Sequence, residues 1–345
     1  MRELAIAAAA LAVVAATGCG GGSGGKTTTT TTATARVRVD RNGDRRFPMG
    51  DNPTGIVAAA GRIVAASIDG AVTRIDPAAD RVLGAPITVG EETADISAGE
   101  DGAWVLAKRD DPDTPKVDWW VVHVDPASGA TRVVARVLGY DPHELAVDRG
   151  TIWVTEESRH AVERFEAGSG QPIGAPIHTG PEPWGLAVGG RSAWVGDTKT
   201  GTLTQIDARS GRIAGRVAGF PHHIAGFVEE VFEIAIDKGS TWVTQDRSLV
   251  RVSSSGGVKG RTRLPGIGNT SDVGIGVGAL LIGTETRPGR VYRFNPHTGK
   301  LLATHPRPIL FENAIHGVAY FDGSIWVATN DGDPGTPDEI VRTAR

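Results

Sequence analysis

Four carboxylates, Asp95, Glu144, Glu233 and Asp272, stand at the third position of the second, third, fifth and sixth copies of an internal repeat. Carboxylates brought together in a partly desolvated setting repel, so such a set must raise a pKa, find basic partners or hold a cation. Oxygen donors of this kind suit Ca²⁺ or Mg²⁺. One position earlier the copies carry His143, Trp184, Phe232 and His316. These add imidazoles able to serve as a general base and aromatic faces able to stack on a ligand. The other copies have Gly55, Gly185 and Gly317 in the acidic column. Ordinary acidic content, or a ring neutralised by Arg or Lys, would produce the same column without any cation.

The repeat that aligns these residues starts at Pro53, Thr93, Pro142, Pro183, Val231, Thr270 and Ile315. Eleven residues after each start stand Val64, Trp104, Trp153, Trp194, Trp242, Leu281 and Trp326, with no gap in any of the seven copies. Between the two columns a large aliphatic at the fourth position precedes a small residue at the fifth, as in Leu145-Ala146 and Leu186-Ala187. Apolar alternation, a Gly-containing turn and a second apolar run such as Thr151-Ile152-Trp153-Val154-Thr155 make a two-stranded hairpin. A third run follows, as in Val121-Val122-His123-Val124-Asp125, and closes in Asp125-Pro126-Ala127-Ser128-Gly129 or Asp207-Ala208-Arg209-Ser210-Gly211. In such turns Asp accepts from its own backbone, Pro presets φ and Gly takes the left-handed position before a return strand.

Four strands per copy, at roughly forty to fifty residues each, give the period of a β-propeller blade. The expected fold is therefore all-β, a seven-bladed β-propeller of four-stranded antiparallel blades. The seventh copy reaches Arg345 with only three strands, while residues 36–50 end in Phe47-Pro48-Met49-Gly50 as a fourth strand would. The last blade is thus expected to be closed by an N-terminal strand, which removes open sheet edges. The Trp column reads as blade-to-blade packing, with ligand stacking as the alternative.

Blade geometry gathers the openings of first strands, the ends of second strands, the second-to-third loops and the inter-blade connections at one mouth, where loops on a rigid scaffold carry binding groups. Second strands end at Glu156, Asp197, Asp246, Glu285 and Asn330, adding acids there. Residues 220–230 supply His222, His223, Glu229 and Glu230. Adjacent residues of a strand point to opposite sides, so a solvated loop is the simpler reading than a metal pair. Residues 108–120 hold Asp110, Asp111, Asp113, Trp119 and Trp120. The paired Trp could grip a peptide or sugar, or anchor the loop. His123, His160, His178, His297 and His305 fall away from the mouth, and no Ser-His-Asp order, HExxH helix or phosphate-cradling Gly loop is present.

Residues 4–16 form an unbroken apolar run, long enough for a secretory signal and too short to span a bilayer. The run leads through Ala16-Thr17-Gly18 into Cys19, the only cysteine of the chain. This resembles a bacterial lipoprotein signal, which implies cleavage after residue 18 and a lipid on Cys19. An ordinary signal leaving a spare thiol is the alternative. Residues 20–35 are Gly, Ser, Thr and Ala with one Lys26, a flexible tether. The divisions are a signal peptide at 1–18, a lipidated Cys and tether at 19–35 and the propeller at 36–345. The protein would sit on the outer side of the membrane, in the cell envelope, or be secreted, touching the membrane through the lipid alone.

Composition bounds the rest. The 345 residues include 47 Gly and 20 Pro, with 40% hydrophobic residues, which is too Gly-rich for a helical bundle and too apolar for a disordered chain. A formal charge of −4 gives no long-range attraction to nucleic acid. A single Cys excludes an intrachain disulfide framework and a Cys-based zinc site.

Pro142-His143-Glu144-Leu145-Ala146-Val147-Asp148 followed by Ile152-Trp153-Val154-Thr155-Glu156, and Pro183-Trp184-Gly185-Leu186-Ala187-Val188 with Ala193-Trp194-Val195, resemble repeats of streptogramin B (virginiamycin B) lyases and NHL-type propellers. The resemblance spans residues 36–345 and is specific for fold. For the lyases it implies a Mg²⁺-assisted elimination that opens a ring ester, with His143 and His316 in the histidine-bearing segments. Where the lyases carry two metal-binding glutamates this chain has Ala314 and Asn330. The leading expectation is an extracytoplasmic, monomeric binding or scaffolding module without turnover. It would recognise a protein, peptide or small-molecule ligand on the face formed by Asp95, His143, Glu144, Trp184, Glu233, Asp272 and His316. The competing expectation is a Ca²⁺- or Mg²⁺-dependent lyase or lactone hydrolase of the gluconolactonase type, with Glu144, Glu233 or Asp272 on the ion and His143 or His316 as general base. A quinone-cofactor propeller comes third.

Overall fold

The computed structural model describes residues 37–41, 43–110, 117–220, 233–237, 239–245, 248–264, 270–276, 278–284, 286–302, 309–311, 313–330 and 338–343. The signal segment, Cys19, the tether, His222, His223, Glu229, Glu230, Asp246, Glu285, His305 and residues 111–116 lie outside them.

Seven antiparallel sheets succeed one another along the chain, as the repeat requires. Their first strands are Pro53–Ala59, Glu92–Ala98, Pro142–Asp148, Pro183–Gly189, Glu233–Asp237, Thr270–Gly276 and Ala314–Phe321. Each packs on the first strand of the next blade, and the seventh packs on the first, so the ring is closed. Second strands such as Arg62–Ser67, Thr151–Glu156 and Ser192–Asp197 are buried along almost their whole length. They lie inside a sheet with a neighbouring blade on each face, which is why they read as continuous apolar runs. Outermost strands Thr131–Arg136, Ile213–Ala218 and Val258–Arg263 are mostly exposed and carry charges that blunt an open edge. In blade 1 the outermost strand is split into Arg81–Val82 and Ile87–Thr88, both paired with Ala71–Asp76.

The ends of the chain share blade 7. Arg45–Pro48 pairs antiparallel with Glu339–Arg342, placing Phe47 opposite Ile340, and Arg38–Val39 adds a fifth strand. Phe47 is fully buried with its ring centroid 5.5 Å from that of Trp326, and Arg46 bridges Asp40 and Glu339 at 3.0 Å each.

Trp104, Trp153, Trp194, Trp242 and Trp326 are at most 1% exposed, which settles the column as core. Opposite each large residue, on the third strand, stands a second column: Arg74, His123, Arg164, Gln205, Arg251, Arg293 and Arg342 face Val64, Trp104, Trp153, Trp194, Trp242, Leu281 and Trp326. Arg164, Arg251 and Arg342 lie 5.3–5.6 Å over their indoles, an arrangement worth about 0.5–2 kcal/mol each. The same side chains reach into the next blade. Arg74 donates to Pro126 O and Ala127 O in the turn of blade 2, Gln205 to Ser254 O in blade 5, and Arg342 to Pro77 O in blade 1.

Candidate binding cavity at the channel mouth

Each first strand is the inner edge of its sheet, so some of its N–H groups have no ladder partner and need an acceptor. Six of the seven begin with a bulge around the second and third positions, as at Thr93/Asp95, Pro142/Leu145 and Thr270/Asp272. A bulge turns the third side chain out of the regular pleat. The acidic column uses that turn to grip the neighbour: Asp95 accepts the Leu145 N–H at 2.7 Å, Glu144 the Leu186 N–H at 2.5 Å and Asp272 the Val318 N–H at 2.6 Å. Each acceptance crosses from one blade to the fourth position of the next. At Gly317, where the column has no side chain, a Cβ would lie 3.1 Å from Ile56 N, the same target in blade 1.

Asp95, His143, Glu144, Trp184, Glu233, Asp272 and His316 all line one cavity of about 620 Å³ enclosed by the first strands. Residues up to 221 positions apart in the chain, Asp95 and His316, thus meet at one rim. The described lining contains no Lys or Arg. Burial pushes Asp95 up to about 7, against the pull of the Leu145 and Ile96 N–H groups and with the charge of Asp272 adding to the rise. Glu144 is raised by burial first, then by Glu233 and Asp95. Asp272 is pushed up to about 6 by burial, opposed by the Val318 and Val273 N–H groups. His316 is held below the usual imidazole range by burial and by the positive charge of Arg287, which favours its neutral form.

His143 stacks on Trp184 with ring centroids 3.8 Å apart and planes 21° from parallel, and its Nε2 is 2.9 Å from Glu157 Oε2. Asp141 completes a group whose ligand atoms all lie within 4.8 Å of one another. Sequence reasoning missed Asp141 and Glu157, although they flank the paired ends Pro142 and Glu156 of one hairpin and the repeat alignment already placed them together.

Other expected residues sit elsewhere. Trp119 is 8% exposed and packed with Trp104, Val121 and Leu145 between blades 2 and 3, with Lys108 5.9 Å over its ring. Trp120 is half-buried on the opposite face of the same strand, and neither residue lines the cavity. Glu156 and Asp197 do end second strands at this face, but they are fully enclosed and saturated. Glu156 accepts from the Asp141 and Arg159 N–H groups and from Ser158 Oγ; Asp197 accepts from the Glu182 and Thr200 N–H groups. Gly139 and Gly180 make room for them, since a Cβ there would fall 1.7 Å and 2.1 Å from the two carboxylates. Asn330 is likewise tied to Asn52. His123 packs edge-on against Trp104, and His160 bonds Pro181 O at 2.5 Å.

No family model matches the chain, and no curated protein matches its sequence. Solved structures do. A structure of U3-55K matches with a TM-score of 0.65 at 12% identity over 87% of this chain and 98% of that one. The selenomethionine-substituted virginiamycin B lyase from Staphylococcus aureus matches with a TM-score of 0.62 at 14% identity, over 88% and 99%. The computationally designed Ika8 protein gives 0.59 at 11% identity, over 86% and 98%. The chain is a seven-bladed β-propeller. At these identities the likeness of the propeller to the lyase, to U3-55K and to a designed protein is a likeness of fold alone.

Proposed function

We propose that this propeller is an exported binding module that takes a positively charged ligand group, or a cation carried by a ligand, into the acidic cavity at its channel mouth, without turnover. The observation that carries the reading is the convergence of Asp95, Glu144, Glu233 and Asp272 on one cavity with no Lys or Arg in its described lining. Carboxylates held neutral or repelling by burial gain most when a cation enters, because the ligand supplies the charge that the protein withholds. The Trp184 and His143 rings offer an apolar wall beside those acids. Export rests on the apolar run before Cys19, with the lipid on that residue holding the propeller at the outer membrane face. Titration calorimetry against Ca²⁺, Mg²⁺ and organic ammonium ligands at pH 8 tests the reading. Binding weakened at least tenfold by Glu144→Gln with Glu233→Gln supports it, and no heat from any cationic class removes it. Cys19→Ser should abolish membrane association of the processed protein.

The second reading is a divalent-metal lyase or lactone hydrolase, favoured by the presence of His143 and His316 at one cavity and by the fold shared with virginiamycin B lyase. Ala314 and Asn330 weigh against it, because neither offers the carboxylate an electrophilic metal would need. Turnover of a cyclic ester that disappears in His316→Ala would favour this reading over the first.

A further inference from the structure

In blades 1, 2, 3, 4 and 7, the residue before the repeat start and the residue sixteen positions later face each other over the hairpin mouth. In blade 2 this pair is Glu92 and Lys108, an ion pair at 3.3 Å. In blade 4 it is Glu182 and Thr198, hydrogen-bonded at 3.3 Å, with Lys199 on the same carboxylate at 2.7 Å. Blade 3 differs: its pair is Asp141 and Glu157, two acids brought together by the Glu157 N–H donating to Asp141 O at 2.9 Å, with His143 between them. Like charges set face to face are destabilising unless a cation joins them. The supports of these three side chains are rigid. Glu156 pins the Asp141 N–H at 2.7 Å and caps the short 3-10 turn Glu157–Arg159, and Trp184 backs the imidazole at 3.8 Å.

We propose that Asp141, His143 and Glu157 form a transition-metal site at the rim of blade 3, taking a divalent ion of the Zn²⁺ class through one imidazole nitrogen and two carboxylate oxygens. Imidazole selects Zn²⁺, Co²⁺ and their neighbours over Ca²⁺ and Mg²⁺, which prefer all-oxygen sets. Tetrahedral Zn–N and Zn–O contacts of about 2.0–2.2 Å put donor atoms roughly 3.4 Å apart. The 2.9 Å contact and the 4.8 Å limit bracket that spacing, so side-chain adjustments of an ångström or so complete the set. An ion taken here would replace the direct contact between His143 Nε2 and Glu157 Oε2, and Asp141 is exposed at the solvent side of the group. The site uses none of the four ring acids and stands whether or not the cavity binds a cation.

Equilibrium dialysis of the full chain with Zn²⁺, and Co²⁺ absorption spectra as a ligand-sensitive signature, test it. One equivalent of Zn²⁺ is expected, held at least a hundredfold more tightly than Mg²⁺. His143→Gln and Glu157→Gln should each weaken it tenfold or more and shift the Co²⁺ spectrum, while the double change His222→Ala, His223→Ala should leave both unaltered. Circular dichroism of His143→Gln verifies folding; if that variant does not fold, Asp141→Asn, on an exposed side chain, replaces it. Absence of a stoichiometric ion, or an ion lost with His222 and His223 instead, would overturn the proposal. Loss of cation binding in Glu144→Gln with Zn²⁺ retained would separate this site from the cavity.

Discussion

The carboxylate of Asp95 in blade 2 accepts the backbone N–H of Leu145 in blade 3 at 2.7 Å, while its other oxygen accepts from Ile96 at 2.7 Å. The group that makes the cavity acidic therefore also joins two blades. Retention of an acid at this column can serve the ring of first strands as well as a ligand, and pH separates the two roles.

Burial holds Asp95 at about 7 in the folded chain, against the 3.8 of an ordinary solvated Asp. The folded state therefore binds the extra proton, and the stabilising contribution is complete below about pH 4 and lost as pH rises through about 7. Asp272, at about 6, and Glu144 act in the same direction. Denaturant midpoints are expected to fall between pH 4 and 7.5. Asp95→Asn should remove roughly 2–4 kcal/mol of that decline, a range discounted for the opening of the cavity to water. An identical slope in the variant would contradict the assignment, and a saturating cation at pH 8 should restore more stability to the unsubstituted chain than to the variant.

Gly211 ends the Asp207-Ala208-Arg209-Ser210-Gly211 turn at φ +70°, and a Cβ there would lie 2.3 Å from a guanidinium nitrogen of Arg164 in the preceding blade. Gly211→Ala is expected to cost about 1–3 kcal/mol, from left-handed strain together with displacement of Arg164 from its place over Trp153. Arg164→Ala removes the second part only. The double variant should thus fall short of additivity by about 0.5 kcal/mol or more in thermal unfolding; strict additivity would mean that the guanidinium does not occupy the cradle.

The fold was legible because its cause is periodic. A core that repeats must repeat its large residue, and Trp104, Trp153, Trp194, Trp242 and Trp326 keep one interval that no loop length disturbs. The cavity was legible for the same reason, since Asp95, His143, Glu144, Trp184, Glu233, Asp272 and His316 occupy the second and third positions of their copies and line one cavity. The Arg74-to-Arg342 column was just as periodic and was overlooked, because an Arg on a strand reads as solvent-facing until its stacking on a neighbouring indole is seen. Glu156 and Asp197 were read as mouth acids because a sequence does not reveal that Gly139 and Gly180 leave a hole beneath the backbone for them. Trp119 follows the same logic: its ring packs between blades 2 and 3, a partner set fixed only by the strand's twist.

Glu156→Ala should test that enclosure. It strands the Asp141 N–H, the Arg159 N–H and Ser158 Oγ, with a cost of roughly 2–4 kcal/mol for donors left without an acceptor. Gly139→Ala should be comparably damaging although it removes no contact, since its Cβ would overlap the carboxylate. Tolerance of Gly139→Ala within about 0.5 kcal/mol of the parent in urea unfolding would show that the connector has room to move.

The closing strand makes the last prediction. Phe47 is fully buried beside Trp326, Met49 and Ile340, while Val39 on the neighbouring edge strand is 61% exposed. Large-to-small truncation of a buried Phe costs about 3–5 kcal/mol, whereas an exposed edge residue costs little. Because Arg45–Pro48 hydrogen-bonds to Glu339–Arg342, Phe47→Ala weakens the one junction made by both ends of the chain. A closed ring has no other seam at which to open first, so the loss is expected to be global. Hydrogen exchange should accelerate in Glu339–Arg342 and in Pro53–Ala59 together, with the urea midpoint falling in step, while Val39→Ser leaves both unchanged. Faster exchange confined to residues 45–48 at an unaltered midpoint would mean that blade 7 holds without its N-terminal strand.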